Sequence, residues 1–214
     1  MNRPRVRFTE EMSGAIGFGA RRYTDGYDHG VASRTDCMFR LTIIIDDVSQ
    51  FMADPMHLAR AEGEVRCQAL SDEPLRVEEG TFNLFAEGVA PGRASMRYRL
   101  WFRDLAGSPL TLLGRKDVGD DLGWDVWRDT TTLATALLDG HVEEPVGLFD
   151  GDEPPTPPAA RARGLLMISA PAFARQLLTF RGTPGGIARF GAMFAGNLWR
   201  LYRGPARPRE RVHT

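Results

Sequence analysis

Met96-Arg97-Tyr98-Arg99-Leu100-Trp101-Phe102 alternates strictly, with Met96, Tyr98, Leu100 and Phe102 on one face and Arg97, Arg99 and Trp101 on the other. Period-two alternation of this kind marks a half-buried β-strand. Leu105-Ala106-Gly107-Ser108-Pro109 supplies turn chemistry, and residues 110–116 follow as a second strand. An acidic loop, Gly119-Asp120-Asp121-Leu122-Gly123, leads into residues 126–133, where three consecutive threonines favour a third extended segment. Residues 96–138 therefore predict a β-meander.

The pattern extends towards the amino terminus. In residues 37–46, Phe39, Leu41, Ile43 and Ile45 face one way and Arg40, Thr42, Ile44 and Asp46 the other. Asp47 is placed to cap a helical turn through Met52. Asp54-Pro55 repeats the start signal for a turn running to about Ala61, stopped at Gly63. Val65, Cys67 and Ala69 read as the inner face of a short strand. Residues 75–85 read as another, with a corner or bulge at Glu78-Glu79-Gly80. Residues 7–19 mix strand formers with glycines and read as an edge strand or a covering segment, and the polar stretch 21–36 as a loop. The total is seven or eight mostly antiparallel strands, an antiparallel sandwich or barrel.

Beyond the meander the composition changes. Residues 150–163 carry four prolines in five positions and read as an exposed linker inside the domain. Leu165-Leu166-Met167-Ile168 returns as an apolar strand. Pro171 then opens a helix bearing Phe173, Leu177 and Phe180. After Thr183-Pro184-Gly185-Gly186 a second helix carries Ile187, Phe190, Phe194, Leu198 and Leu201, with a ridge of small residues at Ala188, Ala192 and Gly196 suited to close approach of another element. The expectation is one β-rich domain over residues 1–204, ending in two helices, and a flexible tail over 205–214.

Composition narrows the function. The 214 residues carry a formal net charge of -1, so no overall field draws the chain to nucleic acid or an anionic surface. No apolar run reaches the roughly 18 residues needed to span a bilayer, and the amino terminus lacks the apolar run of a signal peptide. Cys37 and Cys67 fall in strands without a CxxC or His partner, the pattern of reduced core residues in a cytoplasmic protein.

Chemical motifs are sparse. Gly17-Phe18-Gly19-Ala20-Arg21-Arg22 begins like a dinucleotide fingerprint but lacks its third glycine and its strand–helix context. Neither a Walker lysine nor a GxSxG elbow occurs. The four histidines, His29, His57, His141 and His213, are too scattered for a zinc site. His57, near a short helix, reads as a capping residue rather than a general base. Asp46, Asp47, Asp117, Asp120, Asp121 and Asp125 collect at strand ends, where oxygen ligands can converge on calcium, but solvated loop acids and helix caps are the commoner explanation. The reading assigns no metal. The carboxylate pairs Glu78-Glu79 and Asp120-Asp121 need not share a site, because adjacent strand residues point apart.

Lys116 and Asp129 stand out because strand interiors disfavour both types. Each lies on the solvent face or is buried in a pair. Phe82, Phe85, Tyr98, Trp101, Phe102, Trp124 and Trp127 either fill a core or line an apolar cavity, since eight-stranded barrels do one or the other. The candidate ligand-binding set is Tyr98, Leu100, Phe102, Trp127, Lys116 and Asp129, and no catalytic residue is assigned.

Five stretches taken in order resemble a known region: Phe8-Thr9-Glu10-Glu11-Met12, Phe39-Arg40-Leu41-Thr42-Ile43, Glu79-Gly80-Thr81-Phe82-Asn83-Leu84-Phe85, Trp127-Arg128-Asp129-Thr130-Thr131-Thr132-Leu133 and Phe173-Ala174-Arg175-Gln176-Leu177. They are similar to an accessory region of large bacterial cholesterol-oxidase-like glucose–methanol–choline (GMC) oxidoreductases, where it accompanies a flavin domain and sometimes a fused α/β-hydrolase. The likeness runs from about residue 8 to residue 202. It implies a setting of hydrophobic alcohols, sterols or esters. Because the flavin chemistry belongs to another region, it implies no cofactor here and carries over no catalytic residue. The combined expectation is a non-catalytic accessory domain that binds a sterol or other lipid-like molecule, or docks onto an oxidoreductase or α/β-hydrolase partner. The alternative is a small isomerase, cyclase or esterase acting on a lipid-like substrate in a barrel pocket.

Overall fold

The computed structural model describes residues 3–87, 94–118, 131–145, 147–149, 151–152 and 160–202. Eight antiparallel strands close into an up-and-down barrel: β1 (Val6–Phe18), β2 (Asp36–Ile45), β3 (Leu58–Cys67), β4 (Leu75–Glu87), β5 (Ala94–Arg103), β6 (Pro109–Val118), β7 (Thr132–Asp139) and β8 (Ala162–Met167). A two-residue strand, β9 (Arg181–Gly182), adds to β1. The described residues also form four helices: α1 (Tyr23–Ser33), α2 (Val48–Ala53), α3 (Ala170–Leu178) and α4 (Pro184–Tyr202).

Closure depends on the length of β1. Over its 13 residues it pairs with β2 from Val6↔Ile45 to Ala15↔Asp36, and with β8 from Ser13↔Met167 to Phe18↔Ala162. The expected edge strand is instead the seam of the barrel. A closed barrel leaves no unpaired strand edge, which is its advantage over an open sandwich.

Alternating residues fill the interior as the pleat requires. Phe39, Leu41 and Ile43 of β2 and Leu100 and Phe102 of β5 are all fully buried. The expected bulge near Glu78-Glu79-Gly80 is present, where the β4–β5 register shifts between Val77 and Glu79. Cys37 and Cys67 face each other across β2 and β3 and are both buried.

Residues 21–36 are not a loop throughout, because Tyr23–Ser33 is helical. The helix lacks an apolar stripe because glycine forms much of its buried face. A methyl group on Gly26 would stand 2.1 Å from the Arg163 carbonyl oxygen, and one on Gly30 would stand 2.7 Å from the Ile16 backbone. α1 thus lies directly on the β1–β8 backbone. Tyr23 anchors it, donating its hydroxyl to Leu148 O at 2.6 Å and stacking on Phe149.

Other expectations also change. Asp47 caps α2, accepting from Ser49 N and Gln50 N. Asp54, however, caps only a turn, accepting from Met56 N and Leu58 N, because β3 begins at Leu58 and runs through Ala61 and Gly63. Ala69 is exposed beyond the end of β3. The third meander strand is β7, starting at Thr132, while Val126 to Thr130 lie outside the described residues. So do Pro154 to Pro158, although Ala162 and Arg163 already belong to β8. Phe180 follows α3 rather than lying within it. On α4 the small-residue ridge meets nothing that is described: Ala188 and Ala192 are exposed, and a methyl group on Gly196 would find no atom within 4 Å. The side chains of Leu198 and Leu201 lie outside the described set.

Candidate functional site

α3 and α4 lie over the barrel end where β1 and β5 begin and β6 and β8 finish. Local sequence explains their placement. Ser169 caps α3 by accepting from Ala172 N, and Pro171 supplies a first-turn residue that needs no amide partner. Thr9 N donates to Thr179 Oγ1 at 2.8 Å, fixing the end of α3 to β1. Residues 181–182 then pair with Arg7 and Val6, which turns the chain into α4. Arg189 of α4 donates to Ser49 Oγ on α2.

Beneath these helices is a cavity of about 590 Å³. Phe8 and Phe82 line it from the barrel, and Phe173, Phe180, Phe190 and Phe194 from the lid. Phe8 and Phe180 stack with ring centroids 4.7 Å apart, and Phe190 lies 5.9 Å from each of them. Leu177, Ile187 and Gly191 line the cavity while remaining exposed, so the opening lies between α3 and α4. The volume falls in the range of about 300–1,000 Å³ that suits a small-molecule site.

Three polar side chains converge at its base. Tyr98 donates its hydroxyl to Glu10 Oε2 at 2.9 Å, across the barrel from β5 to β1. β1 and β5 are four strands apart in either direction, so this bond spans the diameter. Lys116 of β6 completes the group, and Glu10 and Lys116 are each only 5% exposed. Among the described residues no carboxylate stands within 4 Å of the Lys116 ammonium, so Glu10 attracts it without touching it. Burial raises the Glu10 pKa, while Lys116 and the Tyr98 hydrogen bond oppose the rise. Burial lowers the Lys116 pKa and Glu10 opposes the fall. Burial, then the Glu10 charge, push the Tyr98 hydroxyl well above its usual value. The Tyr98 ring is held between Phe82 at 4.9 Å and Phe39 at 5.3 Å. Gln176 Oε1, also on the cavity wall, is the only buried side-chain oxygen among the described residues with no hydrogen-bond partner.

The candidate set separates by depth. Tyr98 and Lys116 line the cavity. Leu100 and Phe102 share the inward face with Tyr98 but are fully buried in the packed core below it. Trp127 and Asp129 lie outside the described residues, as does Trp124. Trp101 points outward, between Arg99 and His141. His57 is not on the cavity wall; its ring lies 5.4 Å from that of Phe51. Asp46 pairs with Arg60 and Asp117 with Arg115, Glu78 with Arg103, and no group of three metal-ligating side chains occurs among the described residues. A second depression of about 510 Å³, mixed polar and apolar, lies on the outer wall near Arg5, Arg7 and Arg181. Its Arg60 is already engaged by Asp46 and Glu62.

Sequence reasoning passed over Glu10 as a site residue, although the alternation Val6, Phe8, Glu10, Met12 places a carboxylate among inward apolar positions. The alternation Leu110, Leu112, Gly114, Lys116 does the same for the lysine.

No protein-family model, curated protein or solved structure matches the chain. No described helix is long and apolar enough to cross a membrane.

Proposed function

We propose that the chain is a non-catalytic binding domain that holds a lipid-like molecule beneath α3 and α4. The observation that carries this reading is the cavity itself: about 590 Å³, walled mainly by apolar side chains of which six are phenylalanine, opening between two helices and ending on the polar groups of Glu10, Tyr98 and Lys116. A folded chain ordinarily packs its interior to crystalline density. Six phenylalanines around open space are costly unless that space has an occupant. The placement beside an oxidoreductase or α/β-hydrolase partner draws its support from the sequence resemblance.

Native mass spectrometry of purified protein, with thermal melts against sterols, long-chain alcohols and long-chain esters, tests the reading. A ligand at a hundred times its dissociation constant adds about 2.7 kcal/mol, which raises Tm by several degrees in a chain of this size. Gly191→Trp should remove that shift. A side chain starting at Gly191 meets no atom within 4 Å, so the fold should tolerate it while the opening fills. No bound molecule and no shift with any compound would end the binding reading.

A second reading, a small enzyme acting on a lipid-like substrate, has one observation in its favour. Glu10 and Lys116 are buried titratable groups displaced from their usual values at the base of a cavity, and catalytic acids and bases share that property. Turnover of an ester or an isomerisable lipid, lost in Glu10→Gln, would favour it. Stoichiometric release of the bound molecule unchanged would favour the binding domain.

A further inference from the structure

The polar base of the cavity restricts what kind of molecule fits, provided the cavity is a binding site as proposed above. We propose that the occupant is an uncharged amphiphile with a hydroxyl head, seated on Glu10, Tyr98 and Lys116 with its apolar body among the lid phenylalanines.

Charge balance is the first argument. The site contains one carboxylate and one ammonium, both 5% exposed, and among the described lining residues no other charged side chain. It is already neutral. A carboxylate or ammonium head would add an unbalanced charge to a buried site, which is unfavourable unless a protein group neutralises itself. An alcohol adds none.

Hydrogen-bond capacity is the second. Tyr98 spends its only O–H on Glu10 Oε2. The remaining carboxylate lone pairs of Glu10 and the orphaned Gln176 Oε1 accept only. Ketones, ethers and esters have no hydrogen to give them. The Lys116 ammonium donates only. A hydroxyl group both donates and accepts, so it satisfies Glu10 and Lys116 together. Glu10 and Lys116 attract each other but make no ion-pair contact among the described residues, so each keeps hydrogen-bonding capacity for the hydroxyl.

Shape is the third. The polar atoms are few and the rest of the wall is aromatic or aliphatic. A molecule with one polar end and a long apolar body meets that distribution, whereas a polyhydroxylated one would bury unpaired hydroxyls against phenylalanine.

The test uses three probes with the same ten-carbon chain: 1-decanol, decanoate and decylamine, with dissociation constants measured at pH 7.5 on the full chain. Wild type should prefer decanol to both charged probes by at least tenfold. Glu10→Gln leaves Lys116 as the only charge and should reverse the order in favour of decanoate. Lys116→Met leaves the carboxyl group and should improve decylamine relative to decanol. The wild-type comparison stands even if a variant fails to fold. Equal or tighter binding of decanoate or decylamine by wild type would overturn the head-group assignment while leaving the cavity a binding site. Failure of all three probes to bind would remove both readings.

Discussion

Replacing Glu10 and Lys116 singly and together separates two accounts of the buried charges, one structural and one functional. In wild type, burial outweighs mutual attraction for both groups: the Glu10 pKa lies above its unfolded value of 4.5 and that of Lys116 below its unfolded value of 10.5. Lys116→Met removes the attraction that restrains Glu10, so the carboxyl pKa rises further. A group with a raised folded pKa contributes stability that is fully present below the unfolded value and lost as pH rises through the folded value. Relative to wild type, Lys116→Met should therefore lose stability as pH climbs from acid towards neutral. Glu10→Met leaves Lys116 with a still lower pKa. A depressed group contributes stability present above its unfolded value and lost as pH falls through the folded one. Glu10→Met should therefore be relatively weaker at neutral pH than at alkaline pH, the opposite slope. Each single change should cost about 3–5 kcal/mol near neutrality, because an uncompensated buried charge remains. The double substitution should recover most of that loss but fall short of wild type by about 1–3 kcal/mol, because the Tyr98 hydroxyl then lacks its acceptor. At about 2–4 °C per kcal/mol for a chain of this size, the singles fall well below wild type and the double lies between them and it. Thermal melts of the four proteins at three pH values between 5 and 9 read both effects. A double variant less stable than either single, or singles with the same pH slope, would refute the account and make the pair a net stabiliser of the barrel.

Glycine to alanine should act oppositely at two helical positions. Gly26→Ala forces a methyl group to within 2.1 Å of a backbone oxygen and should cost about 1–3 kcal/mol, only partly offset by the roughly 1 kcal/mol gain in helix propensity. Gly191→Ala meets open space and should be neutral or stabilising by up to about 1 kcal/mol, and denaturant melts compare the two. Leu100→Ala should lose about 2–5 kcal/mol and still show any ligand-induced rise in Tm, because Leu100 packs below the cavity rather than on its wall; loss of the rise would place the ligand deeper. Cys37 and Cys67 are buried side by side, so a thiol reagent should label neither in the native protein and both after unfolding. Rapid native labelling would mean that the β2–β3 wall opens.

An antiparallel sandwich or barrel was legible from residues 39–45 and 96–102 because period-two burial operates on every strand that faces a single core; the pattern is the same in both, and the double pairing of β1 is what makes it a barrel. α1 was not legible because its signal is an absence of side chain. Gly26 and Gly30 let the helix approach the sheet backbone, so the segment carries no apolar stripe at helical spacing. β1 misled for a related reason: its glycines suggested a weak edge, whereas a strand that pairs along both sides also benefits from residues that allow close approach. The site was half legible. Lys116 drew notice as a charge in a strand, and Tyr98 as a member of an inward row. Glu10 belongs to a row just as regular, but its partner is 88 residues away in sequence, and only closure of the barrel brings the two within 2.9 Å.

The level of that hydrogen bond divides the molecule. Below it, Leu100, Phe102, Leu110 and Leu112 pack without exposure, as the interior of a barrel with no ligand would. Above it the inward positions carry Phe8, Met96 and Lys116, and their wall is completed by residues from α3 and α4 rather than by opposing strands. A cavity bounded by strands alone could change volume only by deforming a closed hydrogen-bonded sheet. Here one wall is two helices, joined through β9 and tied to β1 by a few bonds at Thr9, Arg5 and Val6. Elements held by few contacts open at lower free energy than the core beneath them. The helical end is therefore the part of the molecule that can open without disturbing the barrel. It follows that hydrogen exchange should be fastest in α3 and α4 of the empty protein, and that a bound amphiphile should slow exchange there while leaving β5 and β6 unchanged.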